Sequence, residues 1–214
     1  ALEFIERDAI DWTLKYTDIE MQIADDVQAH LLVEVDGNDI DLLYKDCEQI
    51  AEVMQQYECG EILLADSENQ KNQLWKLRRA VGEAVKANSI YKEEDTVVPR
   101  AELAKLLKGV KGIGKEYGFQ SVCYGHAGDG NLHINIVKGG MSDDDWNNKL
   151  THGIKAIFEL TKSLGGTISG EHGIGLVQKE YMNIVLSEKN IEIQKGIKKL
   201  FDPNEILNPG KIYN

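Results

Sequence analysis

The segment Tyr124-Gly125-His126-Ala127-Gly128-Asp129-Gly130-Asn131-Leu132-His133-Ile134-Asn135-Ile136 constrains the fold of this chain more than any other. Gly125, Gly128 and Gly130, with Asp129 and Asn131 among them, let the backbone reverse where side chains would clash. Beyond the turn the residues alternate. Leu132, Ile134 and Ile136 share one face of a strand, and His133 and Asn135 share the other. The pattern predicts two strands brought side by side, with an apolar core face and a polar working face. If His126 closes the first strand, its imidazole can lie beside that of His133, and two neutral imidazoles form half of a divalent-metal site. A hairpin carrying two surface histidines also satisfies this spacing.

Around the hairpin, short β-like runs alternate with longer helical stretches. Leu31 to Val35 reads as a strand closed by Asp36-Gly37. Asp39 then caps a helix to about Tyr57, with Leu42, Leu43, Ile50, Val53 and Met54 roughly on one face. Glu61 to Ala65 is a second strand, Glu68 to Lys86 a helix, and Thr96 to Pro99 a short third strand. A helix from Arg100 to Tyr117 leads into the first hairpin strand. After the hairpin, Ser142 and its three aspartates start a helix that Gly165-Gly166 stops, and from Gly175 to Leu200 the chain is mostly helical. The alternation predicts one α+β domain over residues 1–214, a ferredoxin-like, largely antiparallel sheet with helices on one face and a helical C-terminal segment. The other sheet face is then available to a site or a further domain.

Composition excludes several function classes. A formal charge of −12 argues against a nucleic-acid partner, because phosphate binding needs clustered cations. No window approaches the roughly 18 apolar residues of a membrane span. The opening Ala-Leu-Glu-Phe-Ile-Glu-Arg has early acids and no apolar core, so it does not read as a secretory signal. Cys47, Cys59 and Cys123 are odd in number and lack CxxC spacing, which predicts free thiols and a cytoplasmic setting.

Ser169-Gly170-Glu171-His172-Gly173-Ile174-Gly175 is the second chemical motif. Glu171 is a carboxylate of the kind that completes a two-histidine, one-carboxylate site with open positions. In an extended backbone His172 points away from its neighbour and need not bind the same metal. A loop between helices with a chance Glu-His pair fits the same residues. Arg78 and Arg79 on one predicted helix, and Lys92 before a strand, supply cations that a small acid substrate could use, or simply a solvated face.

Together these motifs, with Leu-Phe-Asp-Pro-Asn-Glu-Ile-Leu-Asn-Pro-Gly-Lys at 200–211, resemble the C-terminal region of FAD-linked oxidases. The resemblance covers nearly the whole chain. It is nearest to the branch of D-lactate dehydrogenase, the glycolate oxidase flavin subunit and D-2-hydroxyglutarate dehydrogenase, within the vanillyl-alcohol-oxidase type of flavoprotein. It implies that the chain caps an FAD domain lying outside it, making it a fragment that is incomplete alone. Carried over by motif, His126, His133 and Glu171 are metal ligands, zinc being expected, and His172 is the catalytic base. Arg78 holds the substrate carboxylate, with Asn135 and Lys92 as further substrate contacts. Asn208 and Lys211 lie in a tail, 200–214, that returns to the FAD domain. Gly82 stands where the hydroxyglutarate branch has a hydroxyl residue, which departs from that substrate.

The implied reaction is oxidation of a D-2-hydroxy acid to the 2-oxo acid. Metal lowers the pKa of the substrate hydroxyl, His172 takes its proton, and the Cα hydride goes to the flavin. The implied partners are the substrate, the FAD domain and an electron acceptor or iron-sulfur protein, with peripheral membrane association of the whole enzyme left open. Two other readings fit the residues: a metal-dependent hydrolytic module, and a structural cap with a degenerate site.

Overall fold

A computed structural model describes residues 1–213. They form two compact units, one of residues 1–88 and 122–128, the other of residues 89–121 and 129–213. Within each unit the strand ladders are antiparallel, as the sequence pattern predicts.

In the first unit β1 (Leu2–Glu6) pairs with β2 (Ala29–Val33) on one side and β4 (Gln120–His126) on the other. The sequence reading placed no element over residues 2–16, and the burial pattern explains why. Glu3 and Glu6 are buried, so the strand inverts the usual rule that its acids face water. Each acid is answered by donors; Glu6 Oε1 accepts the Cys123 amide at 2.6 Å. α1 (Arg7–Tyr16) buries Ala9 and Ile10 and packs against α3 (Glu68–Asn88), whose buried Leu77, Val81, Ala84 and Val85 follow helical spacing. α2 (Ile40–Met54) starts where expected, with Asp39 Oδ1 accepting the amides of Asp41 and Leu42. The predicted strand at Glu61–Ala65 is not formed. Ile62, Leu63 and Leu64 stay exposed without regular structure, and an apolar run with no ladder has nothing to hold it extended.

In the second unit β3 (Tyr91–Val97) begins five residues before the predicted Thr96 and pairs with β5 (Asn131–Val137) along its whole length. The register sets Asp95 opposite His133 and Glu93 opposite Asn135, and on the other face Glu94 opposite Ile134 and Lys92 opposite Ile136. Leu132, Ile134 and Ile136 are fully buried, as the alternation predicts. The same core takes Leu106 and Val110 from α4 (Leu103–Tyr117) and Ile157 and Phe158 from α5 (Leu150–Ser163). Gly165, at φ +80°, ends the second of these helices where its glycine pair predicts. A short α6 (Met182–Val185) precedes α7 (Glu188–Phe201), which begins at the Ser187 cap. Cys47, Cys59 and Cys123 form no disulfide among the described residues. Among the described residues no helix is long and apolar enough to cross a membrane.

One core acid has a pH consequence. Glu94 is buried, with a hydrogen bond from the Gln178 side-chain amide at 3.0 Å. Burial pushes its carboxyl up from 4.5 to about 7. The folded state therefore binds this proton more tightly than the unfolded chain. The stabilisation is full below about pH 4.5 and is lost as pH rises through about 7. Glu94→Gln keeps shape and hydrogen bond without the charge. In urea unfolding, wild type should lose about 3 kcal/mol relative to Glu94→Gln between pH 4.5 and 8; parallel curves would refute the assignment.

Candidate functional site

The loop 169–173 is built around one side chain. Asp95, fully buried on β3, accepts backbone amides at Oδ2 from Gly170 (2.9 Å), Glu171 (2.7 Å) and His172 (2.7 Å). Its Oδ1 accepts Asn131 Nδ2 at 2.6 Å. Burial alone would raise this carboxyl, but the donors from His172, Asn131 and Glu171 together hold it below the usual carboxylate range. Gly170 is required here, because a Cβ would lie 2.4 Å from Asn131 Nδ2 and 2.7 Å from Val97 Cγ2.

Curling around Asp95 changes where the Glu-His pair points. The sequence reading took the backbone as extended and His172 as diverging from Glu171. Instead both side chains meet His133, whose ring is buried on β5. Glu171 Oε1 lies 3.1 Å from His133 Nε2 and 3.9 Å from His172 Nε2, and the two imidazoles stack with centroids 5.1 Å apart. Glu93 approaches His133 Nδ1 at 3.8 Å. Ligand atoms of Glu93, His133 and His172 lie within 4.8 Å of one another, so this unit alone brings together donors of the type a divalent cation takes. Glu171 and His172 are half exposed and accessible to a ligand.

Asn135 shares the His133 face. Its amide nitrogen is buried and makes no hydrogen bond among the described residues. Lys92 is not brought to that face. It lies on the opposite side of β3 beside Ile136, with its Nζ 5.3 Å over the Trp146 ring and 3.5 Å from the Trp146 carbonyl. The polar residues that β3 presents to that face are Asp95, opposite His133, and Glu93, opposite Asn135. A one-residue step along a strand reverses the face, and the sequence left this register open. Asn208 and Lys211 sit in the C-terminal turn, where Lys211 Nζ donates to Asn208 Oδ1 at 3.0 Å.

The first unit gathers Arg78, His126 and an acid that the sequence reading did not single out. Arg78 Nε donates to Glu3 Oε2 at 2.8 Å, and its guanidinium lies over the Tyr124 ring at 4.7 Å. His126 Nδ1 is 2.8 Å from the other Glu3 oxygen. At position 82 a Cβ would lie 2.9 Å from Tyr124 Oη, so the tyrosine hydroxyl fills the volume a larger residue there would need. The missed residues, Glu3, Glu93 and Asp95, share a history: each is an acid in a strand, where sequence patterning assigns acids to solvent.

The family FAD linked oxidases, C-terminal domain, matches residues 1–212, and the chain belongs to it. D-lactate dehydrogenase of Anaerostipes hadrus is 35% identical over 99% of this chain and 46% of its own length. Glycolate oxidase subunit GlcD of Bacillus subtilis is 32% identical, with 99% and 44% covered. D-2-hydroxyglutarate dehydrogenase of Stutzerimonas stutzeri is 39% identical over 71% of this chain and 33% of that protein. The chain thus spans less than half the length of these curated relatives. Among solved structures, p-cresol methylhydroxylase superposes with a TM-score of 0.63 at 12% identity, covering 99% of this chain and 46% of that one. The 4-ethylphenol oxidase of Gulosibacter chungangensis gives 0.60 at 14%, with 100% and 47% covered. Those two likenesses speak for the fold.

The Asp95 arrangement has a direct test. Asp95→Ala removes both acceptor oxygens at once. Amide exchange at Glu171 and His172 should rise roughly 10–100-fold, since each lost charged hydrogen bond is worth about 1.5–3 kcal/mol. Exchange in β5 should stay near wild type; unchanged loop protection would show that the carboxylate does not hold the loop.

Proposed function

We propose that this chain is the substrate-capping half of a flavin-dependent dehydrogenase that oxidises a D-2-hydroxy acid of the lactate or glycolate kind to its 2-oxo acid. The observation that carries the reading is the convergence of Glu171 and His172 on the buried His133. The family and its relatives support the cofactor and the substrate class. An FAD domain beyond this chain would hold the flavin, and the tail with Asn208 and Lys211 would return to it.

The donor chemistry fits a divalent cation: His133 and Glu171 are within reach of one ion, and the sequence resemblance adds His126 as a further ligand. Zinc is the metal we expect for nitrogen and carboxylate donors. A cation held by these residues would supply Lewis acidity that lowers the pKa of the substrate hydroxyl, and a flavin held by the FAD domain would supply the hydride-accepting chemistry. His172, accessible and held by the Asp95 loop, takes the hydroxyl proton. That general-base role is worth roughly 10²–10⁴-fold in rate. Arg78 pairs with the substrate carboxylate and contributes orientation. Asn135 donates its buried amide to a substrate oxygen. Gly82, standing where the hydroxyglutarate branch has a hydroxyl residue, supports a lactate- or glycolate-like acid in place of hydroxyglutarate. Lys92, on the far side of β3, is left out of this set.

Two variants of the enzyme assembled with its FAD domain separate ligand from base. Glu171→Gln should lower bound metal and dye-linked oxidation of D-lactate or glycolate together. His172→Asn should keep metal near wild type while kcat falls roughly 10²–10⁴-fold. Parallel metal loss in both would make His172 a ligand, an arrangement that Glu93, His133 and His172 permit, and would move the base elsewhere.

The 214-residue chain alone should purify without flavin absorbance and oxidise no 2-hydroxy acid. A yellow, active preparation of this chain would overturn the proposed division of labour.

A further inference from the structure

We infer that Glu3 is a positioning residue: it sets the tautomer of His126, and Arg78 is what makes it do so. The inference rests on the reading of His126 as a metal ligand for its consequence, though not for the geometry. Glu3 is 5% exposed on β1, directly opposite His126 on β4. Its Oε2 accepts from Arg78 Nε at 2.8 Å, and its Oε1 lies 2.8 Å from His126 Nδ1. Paired with a guanidinium, Glu3 is a carboxylate, and a carboxylate only accepts. His126 Nδ1 must therefore carry the proton and donate it to Oε1. The lone pair then resides on Nε2, the nitrogen a metal would take. Carboxylates behind metal-binding histidines act in this way, fixing ring orientation and raising ligand basicity.

Arg78 makes the arrangement directional. A guanidinium has no acceptor, so whatever stands at position 3 must turn an oxygen toward it. In Glu3→Gln the amide oxygen goes to Arg78 and the NH₂ faces His126 Nδ1. That nitrogen must then accept, and the proton moves to Nε2. Adding Arg78→Met frees the amide to rotate. Its oxygen can again accept from Nδ1, and the original tautomer is populated again beside the other. A residue that merely filled space would produce no such reversal.

The test uses the 214-residue chain with ¹⁵N-labelled histidine at pH 8 and Co(II) as the metal probe. Wild type should show the Nδ1–H tautomer at His126, and Glu3→Gln the Nε2–H tautomer with Co(II) affinity lower by roughly 10–100-fold. Glu3→Gln/Arg78→Met should recover a measurable Nδ1–H fraction and part of the affinity. A wild-type ring that is Nε2–H or doubly protonated overturns the proposal, as does a double variant with no more Nδ1–H than Glu3→Gln. Loss of the buried Arg78–Glu3 pair can unfold the single variant. In that event the wild-type tautomer and the double variant, which carries no buried guanidinium, still decide. His126→Ala tests the underlying reading separately. If it leaves Co(II) affinity unchanged, His126 is not a ligand, and the tautomer results alone judge Glu3.

Discussion

The Asp95 carboxylate is the interaction on which the second unit's chemistry depends. A loop with glycines at 170, 173 and 175 has little side-chain packing to define it. Left to itself it would sample many backbone states, at a cost of about 1–2 kcal/mol per residue on ordering. Three consecutive amides on one buried oxygen replace that packing with directional bonds to an ionised acceptor. The loop then takes one shape, and that shape sends Glu171 and His172 toward the same imidazole. Asn131, at the start of β5, closes the other carboxylate oxygen, so the hairpin strand and the loop are fastened to one atom group.

Buried acids recur in this molecule, and their environments separate their roles. Asp95 has several charge-stabilising donors and Glu3 has a guanidinium and an imidazole, so both act as acceptors that fix other groups in place. Glu94, one residue before Asp95, faces the apolar side of the sheet and has a single amide donor. Its carboxyl is raised where that of Asp95 is lowered. The contrast follows from strand geometry: neighbours along a strand face opposite environments. The chain's net charge of −12 therefore conceals two kinds of acid, one solvating the surface and one organising the interior.

The likeness to distant oxidases and to nearer hydroxy-acid enzymes divides along the same line. At 12% identity the sheet and helices still superpose on p-cresol methylhydroxylase, because a fold needs only apolar periodicity and turns. The Glu-His loop, its Asp95 anchor and the Arg78–Glu3–His126 link are particular side chains at particular distances. Such features distinguish one chemistry from another on a shared scaffold. Gly82 with Tyr124 belongs with them: a missing side chain on α3 is matched by a hydroxyl from β4.

Local signals in the sequence determined the strand Asn131–Val137 with its buried Leu132, Ile134 and Ile136, the Asp39 cap and the stop at Gly165-Gly166. In each, neighbouring residues carry the physical cause, whether strand alternation, a side chain reaching its own helix, or a glycine admitting positive φ. The motifs also brought His126, His133, Glu171 and His172 forward as site candidates. Tertiary structure decided the rest. β1 was not legible because its buried acids invert the pattern that marks a strand. Glu61–Ala65 read as a strand because apolar content does not reveal whether a partner ladder exists. Register alone placed Glu93, and not Lys92, on the His133 face. The turn of Glu171 and His172 toward His133 depends on Asp95, which lies 76 and 77 positions away in sequence. No local pattern encodes a bond of that span; it exists only once the strand and the loop have met.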